Sequence, residues 1–261
     1  MALNRVSRYP ELVLPNLPTH MHFAMEIIGK YGDLDFSSHT SEFILGSTCP
    51  DIRVITKKDR AIYHFVNLDF ERLGDGLRNM QEKHGAWKYI HGTDHKSKAF
   101  MAGYASHLIL DETWITSMFR RYFSDNRIFT HPSEELVMDR ALQLELDRRF
   151  WSEMGSNLQS FRNADTNIDV CFLQGEPISE WQSWVTKLLD REFSWDRLLF
   201  MAKRISQGDT DHPAVSITDE FVSDPSAGID LLLNKLPSGV LDEFAEESRT
   251  NMSLALEVLH S

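Results

Sequence analysis

KSKAFMAGYASHLILDETWITSMFRRYF, residues 96–123, places Phe100, Tyr104, Leu108, Ile115, Met118 and Phe119 at a 3.6-residue period, which predicts one long helix. Within it His107 and Asp111 stand four apart, so both project from one face, one turn above the other. That face also carries Phe100, Gly103, Tyr104 and Trp114, which read as core. A charge there is costly unless it is paired or binds a metal. His-x3-Asp on a helix offers two ligands to a divalent ion, although the same spacing also suits a plain hydrogen bond.

Working outward, helical periodicity dominates and no stretch alternates with period two. Thr19, after Leu17-Pro18, predicts the cap of a helix running to about Lys30 and closed by the turn Tyr31-Gly32-Asp33. A short helix is expected over Ser41–Gly46, stopped at Cys49-Pro50 because the residue before proline is pushed out of the helical region. Ile62 to Asp69 reads as either loop or helix, and Asp69 to His84 as helix ending at Gly85. Ser133 predicts a cap, with Glu134 and Glu135 in the first turn of a helix to about Trp151. One amphipathic helix is expected over Ile178–Ile205 and two shorter ones within Ile229–His260. The segments 163–177 and 207–213 are the best breaks, yet neither divides independent units. The expectation is a single all-α domain over residues 1–261.

Composition narrows the function. The 261 residues hold 27 Lys+Arg against 39 Asp+Glu, a net charge of −12, which opposes a nucleic-acid duplex or an anionic bilayer as main partner. No uncharged apolar run reaches about 18 residues, so no stable membrane insertion is expected. The first 25 residues contain no run suited to a signal peptide, and Cys49 and Cys171 cannot form a disulfide framework. The expectation is a reduced, cytoplasmic protein whose metal ligands, if any, are His and carboxylates. Of 11 histidines, nine fall in the first half. His20 sits in the first turn of a helix also bearing Phe23 and Ile27, Asp51 at a Cys-Pro-Asp turn, and His64 between Tyr63 and Phe65. His131 and Glu135 repeat the four-residue spacing. Taken alone, His64 reads as readily as a core histidine bonded to a carbonyl. The group Trp181, Trp184, Phe193 and Trp195 reads as core packing.

Four blocks in this order carry a resemblance: PTHMH (18–22), LGSTCPD (45–51), YHF (63–65) and KAFMAGYASHLILD (98–111). Residues 18–136 resemble the zinc-dependent phospholipase C family, including its intracellular members, whose all-helical bundle single-strand nucleases share. The resemblance implies a metal-site core at 18–136; it does not reach 150–261, which are expected to be helical and to complete the bundle. It implies that Asp51, His64, His107 and Asp111 surround one zinc, that Asp111 bridges to a second with His20, and that His131 and Glu135 belong to a third site. Two zinc ions are expected, with a third optional and manganese or iron as alternatives. Two departures stand out. Ser117 replaces a histidine of the third site. The chelating N-terminus of the secreted enzymes has no counterpart near residue 18, where His22 is a candidate substitute.

The implied chemistry is hydrolysis of a phosphodiester by zinc-bound hydroxide, with Asp51 as the base that orients the water. A small-molecule or lipid-headgroup phosphodiester suits the acidic chain; oligomeric state is not indicated. Glu112, about 100° round from Asp111, is expected outside the ligand set. Two other readings stand beside this one. One is a non-catalytic helical binding protein with a structural zinc. The other is a phosphohydrolase of the HD-domain type, against which Asp94-His95 has the reversed order.

Overall fold

Residues 16–30, 37–85, 94–124, 128–173 and 178–260 are described by the computed structural model of the chain. Among them every regular element is helical, and the long predicted helix is the axis of the molecule. The elements before it are α1 (Leu17–Lys30), α2 (Thr40–Gly46), α3 (Arg53–Thr56), α4 (Arg60–Tyr63) and α5 (Asp75–His84). The axis is α6 (His95–Thr113), which runs into a π-helical turn at Trp114–Phe119 and the short α7 (Arg120–Tyr122). The Asp94 side chain caps α6 by accepting from the Lys96 N–H. From Ala99 to Thr113 every residue of α6 is buried, so its polar residues sit inside the core. A helix covered on all sides needs partners all round. They are α2, α1, α5 and α14 (Val240–His260).

Around this centre run α8 (Pro132–Phe150), α9 (Met154–Asn163), α10 (Ile178–Leu189), α11 (Arg197–Ile205), α12 (Pro213–Ser223) and α13 (Pro225–Lys235). The single helix expected over Ile178–Ile205 is two. Residues 190–196 turn between them, and the Ser194 Oγ accepts from the Asp196 N–H at 3.1 Å. The break lets neighbouring aromatics reach different partners: Phe193 packs on Trp151 and Trp195 on Phe221. The helix expected from Asp69 starts at Asp75, because the Asp75 carboxylate accepts from the Glu71 and Arg72 N–H groups and folds 71–74 into a turn. Trp181 is fully buried, as core packing requires. The turn at Tyr31-Gly32-Asp33 lies outside the described residues.

The crossing of α2 and α6 is the closest approach between helices near His107. A Cβ on Gly103 would lie 1.9 Å from the Phe43 carbonyl oxygen, and one on Gly46 would lie 2.0 Å from that of Phe100. Two glycines therefore let the helix backbones touch. No helix among the described residues is long and apolar enough to cross a membrane.

Candidate metal centre

Because α2 and α6 touch at Gly46 and Gly103, the end of α2 reaches the next turn of α6. There the Ser47 carbonyl lies 2.8 Å from His107 Nδ1. A carbonyl only accepts, so Nδ1 carries the proton and the Nε2 lone pair points inward. One turn on, Asp111 projects into the same space.

His64 arrives from the end of α4, and the backbone on both sides of it is held. The Tyr104 hydroxyl donates to the Tyr63 carbonyl, and Asn79 donates to that of Phe65. Phe65 itself has φ 62, a left-handed conformation that turns the chain sharply away. Asp51 stands in the 3₁₀ turn Cys49–Ile52, with Thr48 before it tied to the Leu45 carbonyl and to the Trp181 indole N–H. His20 comes from the first turns of α1. There Asp147 of α8 accepts from both the N–H and the hydroxyl of Thr19, a carboxyl at a helix N-terminus.

These segments bring five predicted residues together. His64 Nε2 lies 3.3 Å from His107 Nε2, 3.1 Å from Asp111 Oδ2 and 3.7 Å from Asp51 Oδ1. His107 Nε2 lies 3.6 Å from Asp111 Oδ2. Among the described residues the close groups of candidate ligands are two, His20–His107–Asp111 and Asp51–His64–His107, which share His107. The His20 ring stacks on His107 at 3.7 Å, and its Nε2 lies 3.3 Å from Asp111 Oδ1. These two atoms are not aligned as a hydrogen bond, and neither has another partner. His20 Nδ1 and His64 Nδ1 are likewise buried without a hydrogen bond. Orphaned polar atoms are costly in an interior, and a cation among them would remove part of that cost. The donor set fits a divalent ion of the zinc type.

The electrostatics keep His20, His64 and Asp111 ready for a cation, whereas His107 is pushed toward its protonated form. Burial, then His107, lowers the pKa of His20; burial, then Arg60, lowers that of His64 much further, so both rings stay neutral. Burial also pulls on His107, but the Asp111 and Asp51 carboxylates outweigh it and raise its pKa. Burial opposes ionisation of Asp111, yet His107 and Arg60 overcome it and hold its carboxyl well below the usual range. His64 and Asp111 are 0% and 1% exposed at the side chain, whereas Asp51 is 21% exposed and opens the group to solvent.

His131 and Glu135 are in neither close group of candidate ligands among the described residues. His131 is exposed, and its Nδ1 accepts from the Ser133 N–H, so it and not Ser133 caps α8. Glu135 is buried on that helix, and Ser117 is half-buried in the π turn. His22 faces elsewhere: its ring stacks on Phe150 and bonds Glu153 at 2.7 Å.

Sequence reasoning missed Arg60, whose Nη2 donates to Asp111 Oδ2 at 2.8 Å. The signal was present, since Arg60 and His64 are four apart in RAIYH. Asp147 was also missed; nothing near it in sequence points to α1. Glu112 is outside the group, as expected, and buried. It accepts from the Gly74 and Gly76 N–H groups, and burial raises its pKa to about 7.

A family model described as zinc dependent phospholipase C matches residues 19–195, about two thirds of the chain. No curated protein and no solved structure matches.

Proposed function

Since the chain belongs to the zinc-dependent phospholipase C family, we propose that it hydrolyses a phosphodiester at the group formed by Asp51, His64, His107 and Asp111, with His20 beside them. The observation that carries this reading is the convergence of donor atoms from three separate segments on His64 Nε2, which lies 3.1–3.7 Å from Asp111, His107 and Asp51. Zinc bound there would supply Lewis-acid polarisation of the phosphoryl group and of the attacking water. The remaining roles belong to the chain. His107 is locked in the tautomer that offers Nε2, because its other nitrogen is committed to Ser47. Asp51, the most accessible of the four, orients water and takes up its proton. The buried face of α6 excludes bulk solvent from the other side.

The substrate is a small phosphodiester or a lipid headgroup reached in solution, in keeping with a net charge of −12 that opposes a large polyanion. A cytoplasmic setting is part of the proposal and rests on sparing cysteine use, with neither Cys49 nor Cys171 in a disulfide.

A second reading, a structural zinc without turnover, is favoured by the burial of His20, His64, His107 and Asp111, since structural zinc sites are closed to solvent. One experiment separates the two. The zinc-loaded protein is assayed on a phosphocholine ester, a bis-aryl phosphodiester and a phosphomonoester. Hydrolysis of a diester that Asp111→Asn abolishes together with zinc supports the enzyme. Zinc bound without turnover on any of the three supports the structural reading.

A further inference from the structure

We propose that Arg60 is a positioning residue for the metal group: its guanidinium fixes the rotation of the Asp111 carboxylate, so that one oxygen faces His64 and His107 and the other faces His20. The inference rests on the zinc-hydrolase reading above and adds to it the residue that aims its central ligand. The torsion that turns a carboxylate about its Cβ–Cγ bond is broad. The helix therefore fixes where Asp111 stands and leaves open which way its two oxygens point. Of these, Oδ1 accepts no hydrogen bond, whereas Oδ2 accepts from Arg60 Nη2 at 2.8 Å. Held toward α4 in this way, Oδ2 lies 3.1 Å from His64 Nε2 and 3.6 Å from His107 Nε2. Oδ1 is left 3.3 Å from His20 Nε2.

Arg60 is itself well placed to do this. The Asp59 side chain caps the start of α4 by accepting from the Ala61 N–H, and the Arg60 carbonyl accepts from the His64 N–H at 2.8 Å. That main-chain bond closes a single helical turn. A ligand, His64, and the group that aims its neighbour thus ride on the same turn and meet the same oxygen of Asp111. The Arg60 side chain is buried, which removes the water that would otherwise compete for the carboxylate. Arginine does not lose its proton in a protein, so the contact holds at any working pH. An ionised carboxylate has about four lone-pair positions on its two oxygens, so Oδ2 can accept from Arg60 and still offer a lone pair to an ion. A ligating carboxylate is itself hydrogen-bonded as a rule, and the partner that orients it contributes to metal affinity.

The test reads the metal and not turnover. Zinc affinity of wild type, Arg60→Met and Arg60→Lys is measured by competition with a chelating indicator, and the cobalt-substituted forms are compared by visible absorption. Circular dichroism and thermal melts of the metal-free forms check that each is folded. Arg60→Met should bind zinc about 10–100-fold more weakly, the usual loss when the partner of a metal ligand is removed, and its cobalt band should change. Arg60→Lys, which keeps the charge and a donor, should recover part of both. Wild-type affinity and an unchanged cobalt band in folded Arg60→Met would overturn the inference, even with a lowered melting point, because Arg60 would then be structural only. No zinc in wild type would overturn the zinc reading, and this inference with it. A crystal structure of the zinc-loaded wild type needs no variant: the Arg60–Asp111 hydrogen bond should persist beside the ion. A guanidinium turned away from Asp111 there would overturn the inference whether or not Arg60→Met folds.

Discussion

The histidines around Asp111 and the histidines that open α8 and α12 put the same ring to opposite uses. His131 and His212 each precede a proline at the first helical position, and each accepts through Nδ1 from a backbone N–H two residues on. There the imidazole caps a helix through Nδ1, exposed at His131 and half-buried at His212. His20, His64 and His107 lie in the core, and between them leave several ring nitrogens without a backbone or hydroxyl partner. The difference teaches that spacing alone does not assign a histidine. A following proline marks a cap, whereas a glycine crossing behind the helix marks a ring brought to a shared point.

The sharpest way to break this contrast is at its centre. Asp111→Asn removes the carboxylate that touches His20, His64, His107 and Arg60. Zinc content should fall to background and any diester hydrolysis by at least about 100-fold, since even outer-shell changes at metal sites cost 10–100-fold. Retained zinc would mean that the buried histidines do not depend on this carboxylate.

Asp147 comes next, because it caps the helix that carries His20. Burial raises its pKa to about 7 despite the bonds from Thr19. The folded chain therefore holds a proton there that the unfolded chain loses near 3.8. The resulting stability is fully present below the unfolded value and is lost as pH rises to about 7. Asp147→Asn should match wild type near pH 4 and gain relative to it by pH 8. The gain is up to roughly 4 kcal/mol for a shift of this size. Thermal melts across that range check it, and a difference independent of pH would contradict the assignment.

Gly103→Ala should cost roughly 1–3 kcal/mol by forcing α2 and α6 apart. It should also weaken zinc binding, because the Ser47 carbonyl would move from His107. The smallest effect is expected from His131→Ala, a loss of about 1 kcal/mol for a missing cap with zinc content unchanged. A lowered zinc content in that variant would join the two kinds of histidine after all.

How much of this was legible in the sequence depends on how local each feature is. The axis α6 was readable because its period is local and uninterrupted, and the His107–Asp111 pair because i, i+4 geometry is fixed by the helix itself. The turn after Leu189 was not, since DREFSWD holds neither proline nor glycine and the break is made by aromatics reaching Trp151 and Phe221. His131 and Glu135 show ligand spacing in the sequence, yet the Nδ1 of His131 turns back to its own helix. Arg60 carried a readable signal in its four-residue distance from His64. That it meets Asp111 depends on how α4 lies across α6, which no local pattern encodes.

The central claim is the place of the ion. Anomalous diffraction at the zinc edge from crystals of the zinc-loaded chain should give a peak bounded by Asp51, His64, His107 and Asp111. A peak at His131 and Glu135 instead, or none near Asp111, would contradict the account.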